Sequence, residues 1–306
     1  MSNYLVTGAA GFIGSALARA LMLEGHFVVT IDNLSTGYEE NIPEKVVFIE
    51  GDCADEHVYA KIPQVKYDAI IHIAGQSSGE ISFDDPVYDI RTNAESTLLL
   101  LKFALSNGCH RFVYASTMSV YGIKPDRPVK ENEDCLPQSF YGVGKIASEH
   151  YLRIYKQYGI NSTSLRLFNV YGPGQNLSNL RQGMVSIFLA QMLANGAIHV
   201  KGSPERFRDF IYIDDVVRAF VSCLSCNGSW NTCINVGTGV RSTVKDVVDF
   251  LSHFYGSNVI VKYEGATAGD IHGLYSDISQ FNEVFGDWEM VGLKDGIGRM
   301  VEFYHN

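Results

Sequence analysis

Two hydrophobic periods alternate along the first 170 positions of the chain. Short runs of consecutive apolar residues fall within Asn3–Thr7, Phe27–Ile31, Val46–Glu50, Asp68–Gly75, Arg111–Ala115 and Ser162–Asn169. Such runs show little strict polar alternation, so they read as strands buried on both faces. Between them lie longer stretches with apolar residues three or four places apart: Ser15–Glu24, Thr92–Asn107 with Leu98, Leu101, Ala104 and Leu105, and a stretch opening at Tyr141 with Ala147, Tyr151, Ile154 and Tyr155. Strands alternating with helices over this length predict a parallel, doubly wound α/β sheet. Beyond Val170 the pattern loosens, with helices at Met184–Ala194 and Val244–Tyr255 and short strands near Ile198–Val200 and Cys233–Gly237. This predicts a smaller, mixed α/β C-terminal lobe. The expected division is 1–170 and 171–306, with segments around 208–240 returning to complete the first domain's sheet.

The first strand runs directly into Gly8-Ala9-Ala10-Gly11-Phe12-Ile13-Gly14 and then into a helix. Strand, glycine-rich turn and helix N-terminus together make a Rossmann-type dinucleotide site. The glycines permit a tight turn and close backbone approach, and the helix start offers unpaired N–H groups and a partial positive charge to a pyrophosphate. The second strand ends in Asp32, 18 residues beyond Gly14. That spacing suits a carboxylate bonding the adenosine ribose hydroxyls, which favours NAD over NADP. Asp-Asn is also a turn-prone pair; context and spacing together favour the ribose role. Asp52 stands where it can cap an adenine amino group, and the small residues leaving the fourth strand let cofactor pass close by.

Net charge is −10 and so argues against a nucleic-acid partner. No apolar run approaches the roughly 18 residues that a membrane-spanning helix needs. The first residues enter a strand without a basic leader, and the expected location is cytoplasmic. Six cysteines include Cys223-x-x-Cys226 with Cys233 nearby, but no second pair completes a zinc site, so no metal is expected and buried thiols are the better reading.

Tyr141 and Lys145 are four residues apart on one helix and share a face. A lysine ammonium nearby, together with the positive nicotinamide, favours phenolate and lowers the hydroxyl's pKa, giving a base for a sugar or alcohol hydroxyl. Thr117, at the end of the fifth strand, is placed to bond the same oxygen. A lone Y-x-x-x-K is a weak signal; here it follows a dinucleotide turn, a strand ending in Asp and a strand ending in Ser-Thr.

These landmarks resemble the extended short-chain dehydrogenase/reductases, in the group of NAD-dependent nucleotide-sugar epimerases and dehydratases. The matching runs are Thr7–Gly14, Asp32–Gly37, Gly51–Asp52, His72–Ser78, Asn93, Ser116–Gly122, Tyr141–Lys145, Leu165–Gly174, Arg208–Asp215, Asn235–Gly239 and Gly269–Ile271. They occur in the family's order over essentially the whole chain. The resemblance implies tightly bound NAD, contacted by Gly8, Ala10, Gly11, Phe12, Ile13, Gly14, Asp32, Asn33, Asp52, Cys53, Ile73, Ala74, Gly75, Asn93, Ala115, Tyr141, Lys145 and Phe168. It implies a nucleotide diphosphate sugar, most readily a UDP-sugar, met by Ser77, Thr117, Asn169, Arg206, Arg208, Asp270 and Leu274. Tyr141 is then the base, Lys145 orients the nicotinamide ribose and Thr117 assists at the sugar hydroxyl.

Within that family, dehydratases follow the catalytic threonine with acidic residues, because an acid must protonate the departing hydroxyl. Thr117 is followed by Met118 and Ser119, so the expected activity is 4-epimerisation through a transient 4-keto sugar. The alternatives are a 4-keto-sugar reductase, an epimerase at another carbon, a dehydratase drawing its acid from elsewhere and, from another class, a non-catalytic NAD-binding sensor. Three positions depart from the pattern: Thr267 replaces the arginine of an R-x-G-D run that grips the diphosphate, Gly144 replaces Ser or Ala before the lysine with little expected effect, and Leu274 replaces the bulky residue that confines relatives to plain hexoses. A homodimer is expected through the Leu98–Leu105 and Tyr141–Tyr158 helices, pairing as a four-helix bundle.

Overall fold

The structure is a computed structural model that describes residues 1–255, 259–265 and 272–305. The chain opens with β1 (Asn3–Thr7), α1 (Phe12–Leu23), β2 (Phe27–Asp32), β3 (Val47–Glu50) and β4 (Ala69–His72). It continues through α2 (Pro86–Ile90), a π-helical turn at Arg91–Glu95, α3 (Ser96–Asn107), β5 (Arg111–Thr117), α4 (Phe140–Tyr155) and β6 (Asn161–Leu167). Then follow β7 (Asn169–Tyr171), α5 (Met184–Asn195), β8 (Ala197–Lys201), β9 (Phe207–Arg208), β10 (Phe210–Tyr212) and α6 (Ile213–Ser225). The last elements are β11 (Thr232–Val236), β12 (Ser242–Thr243), α7 (Val244–Tyr255), β13 (Ile260–Glu264), β14 (Gly273–Leu274), α8 (Ser279–Phe285) and α9 (Leu293–His305).

Seven strands form one sheet in the order β11-β6-β5-β4-β1-β2-β3, and the pairs from β5 across to β3 run parallel. The order turns outward on both sides of β1 and β4. In open α/β sheets ligands bind at such a switch point, outside the carboxyl ends of the strands. The core of this sheet is aliphatic and aromatic: Leu5, Val29, Ile31, Ile70 and Phe112 are fully buried with Leu100, Leu101 and Ala104 of α3. These are the consecutive apolar runs that the sequence pattern assigns to doubly covered strands.

Two compact units emerge. One comprises Met1–Val120, Cys135–Arg166 and Val217–Ile234; the other Tyr121–Asp134, Leu167–Val216 and Asn235–Asn306. The polar stretch 121–134 is held within the second unit. Val129 bridges Ser276, the Val129 N–H donates to Tyr275 O, and Glu131 accepts the Asn235 N–H.

The expected helix over 92–107 is interrupted. Asp85 caps a separate short helix, accepting the Tyr88 N–H at 2.9 Å, and the chain then winds through the π turn before α3 begins. Proline at the first helical position and the Asp cap explain the early start. The extra residue in the π turn re-aims Asn93 and Thr92, which are both buried.

Candidate active site

The glycine-rich turn leaves β1 with Gly8 at φ 78°, a conformation that favours glycine, and a Cβ there would lie 2.7 Å from the Ala74 nitrogen. Thr7 ties the ends of β1 and β4 together: its hydroxyl bonds His72 Nδ1 at 2.7 Å and accepts the N–H groups of Ile73 and Ala74. Gly11 is the N-cap of α1 and supplies no side-chain cap, and the first turn carries no acidic residue. A side chain at Gly14 would strike the Gly8 carbonyl at 2.0 Å, so the helix start can approach the turn only as glycine. Phe12 and Ile13, the first helical residues, are half-buried.

Asp32, nearly buried, accepts the Ala10 N–H at 2.9 Å and the Leu34 N–H at 2.8 Å. It therefore braces the glycine turn as well as ending β2, and each carboxylate oxygen retains a further lone pair. Asn33 and Asp52 each accept an N–H two residues ahead, forming tight turns beside the strand ends. Cys53 is buried; burial, with Asp52 and Asp32 nearby, pushes its thiol far above the ordinary range. Gly75 follows β4, and a Cβ there would lie 2.5 Å from Asn93 Oδ1. That oxygen is buried without a partner, while Asn93 Nδ2 donates to the Gln76 carbonyl. An uncapped helix start behind a glycine cradle, a carboxylate at the end of β2 and an orphaned buried acceptor fit a bound dinucleotide.

The proton-handling groups converge on β5 and α4. Ser139 caps α4 by accepting the Gly142 N–H at 3.1 Å. A Cβ on Gly142 would sit 2.8 Å from the Ser119 carbonyl, so glycine lets the first turn of α4 lie against the 3-10 turn Met118–Val120. Tyr141 is buried and hydrogen-bonded to Thr117, whose hydroxyl also accepts the Ser119 N–H. Lys145 is buried, donates to the Ala115 carbonyl at 3.0 Å, and lies 4.8 Å from the Tyr114 ring centroid and 5.8 Å from that of Tyr141.

Burial pushes the Tyr141 hydroxyl up to about 12, with the Thr117 hydrogen bond pulling the other way and Asp89 adding to the rise. Burial also lowers the Lys145 ammonium to about 8, against the pull of Asp89. Burial is the largest of the influences on both groups.

Asp89, fully buried on α2, was not marked by any sequence pattern. Gln76 Nε2 donates to it at 2.8 Å, and burial raises its carboxyl above the usual range. At Gly144 a Cβ would lie 3.1 Å from Asn93 Cβ and 3.5 Å from Asp89 Oδ1, where α4 packs against the π turn.

The second unit carries Asn169, Arg206, Arg208 and Leu274 of the residues expected at the nucleotide sugar. Asn169 donates to the Asp209 carbonyl through both N and Nδ2, each at 3.0 Å. Arg208 is buried; its Nη1 donates to the Phe207 carbonyl at 2.7 Å, and burial lowers its guanidinium to about 10. Leu274 pairs with Arg208 between β14 and β9 and is 2% exposed. Arg206 is half-buried, its guanidinium donating to the Ser203 and Lys201 carbonyls. Phe168 is buried, its N–H donating to Val236 O. In the first unit Ser77 is exposed on the loop after β4. Asp270, with the run from Thr267, lies outside the described residues.

Sequence reasoning also missed the hub of the second unit. Asp209 is fully buried, and its carboxylate accepts Thr238 N and Oγ1, Gly239 N, and Ser276 N and Oγ. It joins the segments that carry Asn169, Arg208 and Leu274.

A profile of the NAD dependent epimerase/dehydratase family matches residues 4–237. A UDP-glucose 4-epimerase of Mycolicibacterium smegmatis is 35% identical, covering 99% of this chain and 98% of that protein. Among solved structures, the UDP-glucose 4-epimerase of Thermotoga maritima with UDP-glucose superposes with a TM-score of 0.95 at 35% identity, covering 99% of this chain and 98% of that one. The UDP-N-acetylglucosamine 4-epimerase of Methanobrevibacter ruminantium, in complex with UDP-N-acetylmuramic acid, follows at 0.93 and 29%, with the same coverage. By fold, glycine turn, Thr-Tyr-Lys constellation and full-length similarity, the chain belongs to the NAD-dependent epimerase/dehydratase family.

Proposed function

We propose that this protein is a nucleotide-sugar 4-epimerase acting on UDP-hexoses or UDP-N-acetylhexosamines with tightly bound NAD. The observation that carries the reading is the buried Thr117–Tyr141 pair beside Lys145, on a strand end whose next residues, Met118 and Ser119, are not acids. NAD, held along the glycine turn, Asp32 and the end of β4, supplies reversible two-electron oxidation at the sugar's C4. Tyr141 takes the proton of the 4-hydroxyl and returns it to the 4-keto oxygen after the sugar has turned over. Thr117 holds the hydroxyl in line with Tyr141, and Lys145 fixes the cofactor's ribose and supplies positive charge. A phenol at about 12 needs such added positive charge to act near neutrality. Arg208 and Asn169 hold the nucleotide diphosphate, while the sugar stays loose enough to rotate.

Leu274 is smaller than a tyrosine, which supports tolerance of an N-acetyl group. The pure protein, incubated with UDP-, GDP-, CDP- and dTDP-sugars without added NAD, should give 4-epimers only from the UDP-sugars, at comparable rates on UDP-glucose and UDP-N-acetylglucosamine. Net consumption of reduced cofactor would favour a keto-sugar reductase instead.

A homodimer through α3 and α4 belongs to the same reading. Val143 and Ile154 are each 50% exposed on α4, and Tyr158, just beyond it, is 57% exposed. A second copy burying this stripe would form a four-helix bundle. Light scattering should give twice the 33.9 kDa chain mass. Among the described residues no helix is long and apolar enough to cross a membrane.

A further inference from the structure

Three consecutive residues at the end of β5 are each bonded to a residue on one face of α4. The Ala115 carbonyl accepts Lys145 Nζ, the Ser116 hydroxyl donates to Glu149 Oε1, and Thr117 bonds Tyr141. Positions 141, 145 and 149 are successive turns of the helix. The first and last of these bonds belong to the proton machinery. The middle one has no part in it, although Ser116 and Glu149 are both buried.

Glu149 is also held from the far side. Arg166 on β6 donates to both its oxygens, Nε to Oε1 at 3.0 Å and Nη2 to Oε2 at 2.7 Å, and the Cys233 thiol reaches Oε2 at 3.5 Å. The arginine fork fixes the plane of the carboxylate, leaving Oε1 aimed at Ser116. A buried ion pair contributes little net stability compared with apolar residues of the same size, so its use lies in specifying geometry. A helix sliding by a fraction of an ångström along β5 would separate Thr117 from Tyr141 while leaving the apolar core filled.

We infer that Glu149, clamped by Arg166 and bonded to Ser116, is a positioning residue that sets the register of α4 on β5 and thereby the Thr117–Tyr141 geometry. It touches neither substrate nor cofactor; it acts through the peptide units on either side of Ser116. The inference rests on the 4-epimerase reading for its kinetic consequence, and on the coordinates for its geometry.

The test compares S116A, E149Q and the double variant with the wild type. S116A removes one hydroxyl and leaves the Glu149–Arg166 pair intact, so it should fold even if E149Q does not. S116A should lower kcat about tenfold on UDP-glucose with KM and bound NAD unchanged, since sub-ångström misplacement is costly to an aligned transfer. E149Q should lose at least as much, and the double variant no more than E149Q alone, because both break one strut. A second readout needs no turnover: with tyrosine 13Cζ labelling, the Tyr141 resonance, assigned through Y141F, should shift its titration midpoint in S116A and E149Q. Wild-type kcat and an unmoved Tyr141 titration in S116A, with only a lowered Tm, would overturn the inference and leave a core ion pair. A wild type that turns over no UDP-sugar would overturn the epimerase reading alone, and the Tyr141 titration would still decide the role of Glu149.

Discussion

The end of β5 and the end of β9 both carry residues of the proposed site, yet they are held in different ways. At β5 the active groups are themselves the fasteners: Lys145 and Tyr141 bond back to the strand whose last residue works with them. Burial raises the Tyr141 hydroxyl and lowers the Lys145 ammonium. At β9 the fastener is a bystander. Asp209 collects five hydrogen bonds from two later segments, and Arg208 and Leu274 are placed by what Asp209 holds. The proposed proton machinery is thus fastened by bonds between one helix and one strand, whereas the segments proposed for recognition are gathered around one carboxylate.

The largest effect should come from the first region. Y141F removes the proton carrier and should reduce kcat by about 10²–10⁴-fold, with bound NAD retained, as read by turnover and by the cofactor released on denaturation. D209N should strike the second region, since its amide presents hydrogens to donors; unfolding in denaturant should show a loss of about 3 kcal/mol. If D209N instead lowers kcat with stability intact, the separation between the two regions fails. L274Y should leave UDP-glucose turnover near wild type and reduce the relative rate on UDP-N-acetylglucosamine by about tenfold, measured with the two substrates in competition.

The smallest effect is a pH slope. Lys145 falls from 10.5 unfolded to about 8 in the cofactor-free fold, so between those values the unfolded chain binds more protons. Stability from this group therefore rises with pH across that window. The Tm difference between wild type and K145M should grow in favour of wild type from pH 8 to pH 10.5, and a flat difference would mean that Lys145 is not desolvated.

What was legible in the sequence was local. The glycine turn, Asp32, and Tyr141 with Lys145 follow from backbone conformation and helical spacing, which neighbouring residues decide. The parallel sheet followed from runs too apolar to face water. The braces were hidden because their partners are remote: Glu149 meets Ser116 and Arg166, Asp209 meets Thr238 and Ser276, and the 121–134 stretch meets Asn235 and Ser276. Arg208 was read from its motif, but nothing in the run distinguishes the role of the aspartate beside it. The π turn escaped because Thr92–Asn107 has continuous helical periodicity.

The most direct test follows a label through the reaction. UDP-glucose carrying deuterium at C4, incubated in ordinary water with the pure protein and no added NAD, is analysed by NMR and mass spectrometry. The account predicts UDP-galactose that keeps its deuterium at C4, because only the hydroxyl proton passes through Tyr141. Loss of the label to solvent, or inversion at any other carbon, would contradict it.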